Sequence, residues 1–238
     1  MTLLVNFVSG KLSRRTLLFV LIPLIFVFYF GTLITAIWLF PAAYNWRHKS
    51  ISKLLYPQNN PEFHFIPSFG VAVTGLLMIP FAGYVGRRFR AVSSTAASIG
   101  AGTLAASAVC LILAGLIVSH TSGGASALPS LHEIFARTSA FAIGASMLAF
   151  YGCELKAYFS RGGGRTLLVS WTILTLPAFF LVVLRLLADA QFEWSNPMYL
   201  ALKSPALWHL GFWEWIGSGA VFLFLLSAPL LLPERPGL

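Results

Sequence analysis

Hydrophobic residues along this chain come in long, nearly unbroken runs. Neither the strict alternation of a half-buried strand nor the single apolar stripe of a surface helix describes them. The runs cover 16–40, 67–85, 94–119, 131–159, 166–187 and 207–232. Each is close to the roughly 20 apolar residues that carry a helix across a bilayer. They predict an all-α integral membrane bundle of six transmembrane helices in a single domain over 16–232. A leader over 1–15 precedes the bundle and a short tail over 233–238 follows it. The first run is too long for the apolar core of a signal peptide, about 7–15 residues, and no small-x-small cleavage site follows it. It reads as a retained span closed by Pro41.

Composition agrees with this reading and excludes others. The 238 residues are 58% hydrophobic and 10% charged, with a mean hydropathy of +0.81. A soluble domain is about 25% charged, so this chain has too few polar groups to cover its surface in water. A disordered chain and a disulfide-built secreted miniprotein are excluded with it. Cys110 and Cys153 both fall within apolar runs, where they read as small apolar filler. Lys plus Arg outnumber Asp plus Glu by 16 to 7. No basic run is interleaved with exposed aromatics, so no nucleic-acid partner is expected.

The basic residues instead sit at span ends, where they set orientation and meet anionic headgroups. Lys11, Arg14, Arg15, Arg87, Arg88, Arg90, Lys156, Arg161, Arg165 and Arg235 gather on one side. Arg47, Lys49, Lys53 and Lys203 fall on the other. The positive-inside rule then places both termini in the cytosol and the long loop 42–66 outside, on the lumenal or periplasmic side. Small residues recur at every fourth position in two spans, Ser98-Gly102-Ala106-Cys110 and Ala136-Ala140-Gly144. Such ridges let backbones approach closely. They are expected to pack within the bundle, with oligomerisation as the alternative.

Charged groups inside spans are costly and mark either a cavity or a partner. The fourth run opens Leu131-His132-Glu133-Ile134-Phe135-Ala136-Arg137, the fifth ends near Arg185 and Asp189, and the sixth opens Trp208-His209 and continues to Trp213-Glu214-Trp215. All lie toward the outer side. Arg137 follows His132, and Glu214 follows His209, by the same five positions, about 7–8 Å of helix rise. Equal depth on two spans running the same way predicts an Arg137–Glu214 pair, with Glu133 as Arg137's alternative partner one helical turn back. An ion-pair network that only fixes packing explains the set as well as a polar cavity for a lipid headgroup does.

In the cavity reading His132 or His209 is the base, Glu133 or Glu214 the orienting carboxylate, and Arg137 or Arg185 the anion clamp. Catalytic zinc held by His48, His64, His132 and His209 is disfavoured, because no pair has a short ligand spacing. No metal and no cofactor is expected. Ser52 and Ser218 are available hydroxyls, but nothing around them in sequence marks an activated nucleophile. Trp194, Trp208, Trp213 and Trp215 read as an aromatic belt at the outer boundary. The prolines of the outer loop predict turns and extended segments. A loop of that length often serves as a lid, and Glu62 and His64 are placed to close over the site.

The layout resembles the FRAG/DRAM/Sfk family of six-span membrane proteins. That family includes autophagy modulators and GPI-anchor lipid remodelers, among them the N-terminal region of the Cwh-type remodelers. The matching features are Ile51-Ser52 followed by Pro61-Glu62 in the long first outer loop, Leu131-His132-Glu133 with Phe135, and His209 followed by Glu214-Trp215. The cysteines that some members carry in their outer loops are missing here. The resemblance implies handling or remodelling of membrane lipid. If the protein is an enzyme, it implies acyl transfer or ester or phosphoester cleavage. Membrane lipids are the expected partner, with a protein partner in the membrane also open. The alternative is a non-enzymatic scaffold or regulator whose charged cluster is structural. A channel or transporter is disfavoured because no polar residue midway through the first three spans continues a path.

Overall fold

The computed structural model describes residues 2–118, 131–161 and 210–231. They form helices α1 (Thr2–Val8), α2 (Arg14–Trp38), α3 (Ser52–Leu55), α4 (Phe65–Phe89), α5 (Ser94–Leu116), α6 (Leu131–Arg161) and α7 (Leu210–Leu231), and no strand occurs among the described residues. Of these, α2, α4, α5, α6 and α7 are long and apolar enough to cross a membrane. The run at 166–187 lies outside the described residues.

Local chemistry sets the helix boundaries. Ser13 has an extended backbone, and its Oγ accepts the N–H of Thr16 at 3.0 Å, capping α2. Ser93 does the same for α5 through the N–H of Ala96. Within α2, Leu17–Leu21 and Val27–Gly31 are wound as wide π-turns. Pro23 offers no N–H to the carbonyl four residues back and crowds it, and the first wide turn makes room for the ring. Beside the second, the hydroxyls of Thr32 and Thr35 donate to the carbonyls of Phe28 and Gly31 at 2.6 and 2.8 Å. Side chains thereby satisfy carbonyls that lipid cannot.

Two ends can be told apart. At the leader end, Arg14 Nη2 donates to the Leu230 carbonyl at 2.8 Å and the Arg87 guanidinium donates to the Gly10 carbonyl. At the loop end, α7 starts against residue 49 and α6 starts against residue 52. So α6 and α7 both run from the loop end toward the leader end. The outward surface is apolar: Phe19, Trp38 and Phe159 are 74%, 88% and 79% exposed, as expected of side chains that face hydrocarbon.

Toward the leader end the core is aromatic. Phe150 of α6 stacks on Phe89 of α4 at 5.0 Å between centroids and on Phe224 of α7 at 6.3 Å. Glycines bring α4 and α5 into backbone contact. A Cβ at Gly75 would lie 2.6 Å from the Ala108 carbonyl oxygen, and one at Gly115 would lie 2.6 Å from that of Ser68. Helices α5 and α6 are joined by hydroxyls. Ser107 Oγ donates to the Ser139 carbonyl at 2.8 Å, Ser139 Oγ donates back to the Ser107 carbonyl at 3.0 Å, and Ser146 Oγ donates to the Gly100 carbonyl at 2.8 Å.

This seam is not the one the small-residue spacing predicts. Ser98, Gly102, Ala106 and Ala140 are exposed, and a Cβ at Gly102 or at Gly144 would meet nothing within 4 Å. The hydroxyls that need a partner decide which face turns inward. Cys110 and Cys153 are free thiols.

The leader is fastened by Gly10, the described glycine with a positive φ, at 66°. A Cβ there would stand 2.2 Å from the Tyr84 nitrogen and 2.4 Å from the Pro80 oxygen, pressing on a hydrogen-bonded turn of α4. Gly10→Ala therefore adds a left-handed backbone penalty to a backbone clash. It should cost about 2 kcal/mol, read as a lower melting temperature of the detergent-purified protein.

Candidate functional site at the loop end

The loop between α2 and α4 is a plug. Ile51, Leu54 and Leu55 are buried against Leu33 and Ala36 of α2 and Val71 of α4. The prolines predict turns and extended segments, and turns do occur at 46–48, 57–59 and 61–64, but the loop does not stand off as a lid. Instead the apolar residues of the loop form α3 and insert into the end of the bundle, because burying them outweighs leaving them at the water boundary.

The plug is held from both sides. Tyr44 OH lies 3.0 Å from the carbonyls of both Lys49 and Ser50, to which it donates, and accepts Trp215 Nε1–H at 3.4 Å. Burial pushes the Tyr44 phenol up to about 12, so it remains a donor at any physiological pH. Gly211 allows α7 to start directly on this turn, since a Cβ there would come within 2.2 Å of the Lys49 oxygen. That contact delivers Glu214. Its Oε2 accepts the backbone N–H of Ile51 at 2.5 Å, and the Ser52 N–H is a second donor to the carboxylate. The first N–H groups of a helix have no partner within it, and the carboxylate supplies one. Glu214 thus caps α3 from another helix. One turn on, Ser218 Oγ donates to the Glu214 carbonyl at 2.7 Å, so at the 2.7 Å contact with Tyr29 the phenol is the donor.

His132 holds the other side of α3. It is only 3% exposed. Its Nδ1 lies 2.8 Å from the Ala114 carbonyl and its Nε2 lies 3.3 Å from Ser52 Oγ. A carbonyl oxygen can only accept, so Nδ1 carries a proton; in the neutral ring Nε2 is then the acceptor, and the Ser52 hydroxyl donates to it. Tyr56 packs edge-on against the imidazole at 5.2 Å and fixes its tilt. Ser52 itself is half-buried. Its main chain is held by Glu214 and its side chain by His132, so α3 joins α6 to α7.

The other anticipated residues fall elsewhere. The expected Arg137–Glu214 pair does not form. Arg137 Nη2 is 3.9 Å from Glu133 Oε2, one turn back on the same helix, with Arg137 67% exposed. Five residues of helix carry a side chain about 140° around the axis. With His132 turned inward, Arg137 therefore points away, and equal depth does not bring the two charges together. Glu62 is exposed, and the His64 ring lies beside the Pro61 carbonyl and the Phe65 ring. His209 and Arg185 lie outside the described residues. Among the described residues, no three His, Cys, Asp or Glu side chains converge as a metal ion would require.

Sequence reasoning missed Tyr44, Tyr56 and the Ala114 carbonyl, and it named Ser52 only as an available hydroxyl with nothing to activate it. Ser52 is 80 residues from His132, and Ile51 is 163 from Glu214, so no local motif announces either contact. No protein-family model, curated protein or solved structure matches this chain.

Proposed function

We propose that this protein handles or remodels membrane lipid through its loop-end site, in the manner of the GPI-anchor remodelers that its layout resembles. One observation carries the reading. Three of the short features on which the resemblance rests, Ile51-Ser52, His132 and Glu214-Trp215, are far apart in the chain and meet at a single place, whereas Glu62 stays exposed outside it. Ile51 N–H bonds Glu214, Ser52 bonds His132, and Trp215 bonds Tyr44 of the same loop. The site sits at the end of an apolar bundle, where a headgroup would reach polar side chains while its acyl chains lie along the exposed aromatics.

The proposal includes six spans with both termini cytosolic. The parallel course of α6 and α7 supports it, since a return crossing between them is what a sixth span supplies. Single cysteines at Asn59 and at Gly163 should be labelled from opposite sides of the membrane, Asn59 from outside only and Gly163 from the cytosol only. Labelling of both from one side overturns the topology.

A scaffold is the second reading, favoured by the fact that His132 bonds a protein group at each ring nitrogen and Glu214 is bonded to the loop backbone. Such a tie would hold α3 without any ligand. Native mass spectrometry of the protein released from its membrane separates the two. Lipid handling predicts a selectively retained lipid class that excess detergent displaces slowly. Retention no more selective than that of an unrelated helical membrane protein would favour the scaffold.

A further inference from the structure

We propose that Ser52 is an acyl-accepting nucleophile, with His132 as its general base and the C-terminal end of α5 in place of the usual orienting carboxylate. The geometry has the three parts that an activated hydroxyl needs. The hydroxyl faces Nε2 at 3.3 Å, the opposite ring nitrogen is anchored at 2.8 Å, and the anchor belongs to the last turn of a helix of 23 residues. Carbonyls in the last turn have no partner within the helix and carry its partial negative charge. The imidazolium formed when Nε2 takes a proton is therefore stabilised through Nδ1–H, as an aspartate would stabilise it.

Elsewhere along the α5–α6 seam the ties among the described residues are made by hydroxyls, at Ser107–Ser139 and at Ser146. An imidazole is used only where the described hydroxyl also sits on a half-buried turn at the mouth of the bundle. Glu214 acts as a positioning residue by holding the Ser52 main chain.

The step balances without any further reactant. Ser52 Oγ bonds to the carbonyl carbon of a fatty-acyl ester as its proton passes to His132 Nε2. The ester C–O bond then breaks, and the departing alcohol oxygen of the lipid takes that proton, leaving acyl-Ser52. A second lipid alcohol, or water, attacks the acyl carbon with His132 again as base, and Ser52 is restored. The substrate class rests on the lipid reading above, whereas the activation of Ser52 does not.

A fluorophosphonate probe tests the proposal. The full-length protein in nanodiscs is treated with it, and the adduct is mapped by peptide mass spectrometry. Ser52 should be phosphonylated, and His132→Gln should slow this by about 100-fold or more, the usual contribution of a general base. Probe found elsewhere, or Ser52 modified equally fast in both proteins, overturns the proposal.

If the His132→Gln protein does not fold, Ser52→Cys provides the second measurement. Beside an imidazole its thiol should alkylate with iodoacetamide about tenfold or more faster at neutral pH than the thiol of Lys53→Cys, the exposed neighbour on the same turn. An equal rate overturns the proposal. Native mass spectrometry of Ser52→Ala keeps the two readings apart. Lipid retained by a protein that takes no probe, alongside a wild type that does, supports both. A wild type that retains lipid but takes no probe refutes the nucleophile alone, and one that takes probe but retains no lipid refutes the lipid reading alone.

Discussion

Glu214→Ala should destabilise the protein by about 3 kcal/mol. The carboxylate accepts the Ile51 N–H at 2.5 Å and serves the Ser52 N–H as well. A hydrogen bond contributes about 0.5–1.5 kcal/mol, or about 1.5–3 where the acceptor is charged, and a donor left buried without a partner costs about 1–3. Glu214→Gln keeps an acceptor oxygen without the charge and should lose roughly half as much. Arg137→Met should move stability by less than about 1 kcal/mol, because the exposed pair with Glu133 is of the kind that contributes little. The double variant Glu214→Ala/Arg137→Met should be no more stable than Glu214→Ala. Thermal melting of the detergent-solubilised proteins reads all four. Recovery of stability in the double variant would show that Arg137 and Glu214 pair after all.

Gly75→Val should cost about 3 kcal/mol and separate α4 from α5. A Cβ at Gly75 would stand 2.6 Å from the Ala108 oxygen and 2.9 Å from the Ile112 nitrogen, both backbone atoms that cannot turn aside. In lipid no hydrophobic driving force holds two helices together, so close packing is what joins them, and a gap forfeits it along the whole seam. Gly102→Val, one of the small positions that faces outward with nothing within 4 Å, should be tolerated. The comparison is between the two melting temperatures. Equal loss at both positions would mean that the close approach at Gly75 is not what joins α4 to α5.

The particular errors of the sequence reading share one cause. In a soluble helix the polar face marks the outside, and the period of 3.6 residues reveals which side is buried. In a membrane helix both faces are apolar, so hydrophobicity has almost no amplitude around the axis. The stripe through Ser98, Gly102 and Ala106 looked like a seam, yet the buried side of α5 runs through Gly100, Leu104 and Ser107. Arg137 and Glu214 matched in depth, but their bearing around the axis was not written in either segment. Ser52 looked inert because its base lies 80 residues away.

The sequence by itself determined that the chain is helical and built to lie in a membrane, where most of its crossing segments begin and end, and that His132 and Glu214 were worth explaining. Those features depend on local composition: a run of about 20 apolar residues, a serine cap, a charge placed where charge is expensive. Tertiary structure alone decided that the outer loop is a plug, that Glu214 caps α3 rather than meeting Arg137, and that Ser52 faces His132. Each of these is a matter of rotation about helix axes and of contacts between distant segments. In hydrocarbon such contacts are chosen by backbone approach at glycines and by the few polar groups that must find partners, and neither leaves a periodic trace in the chain.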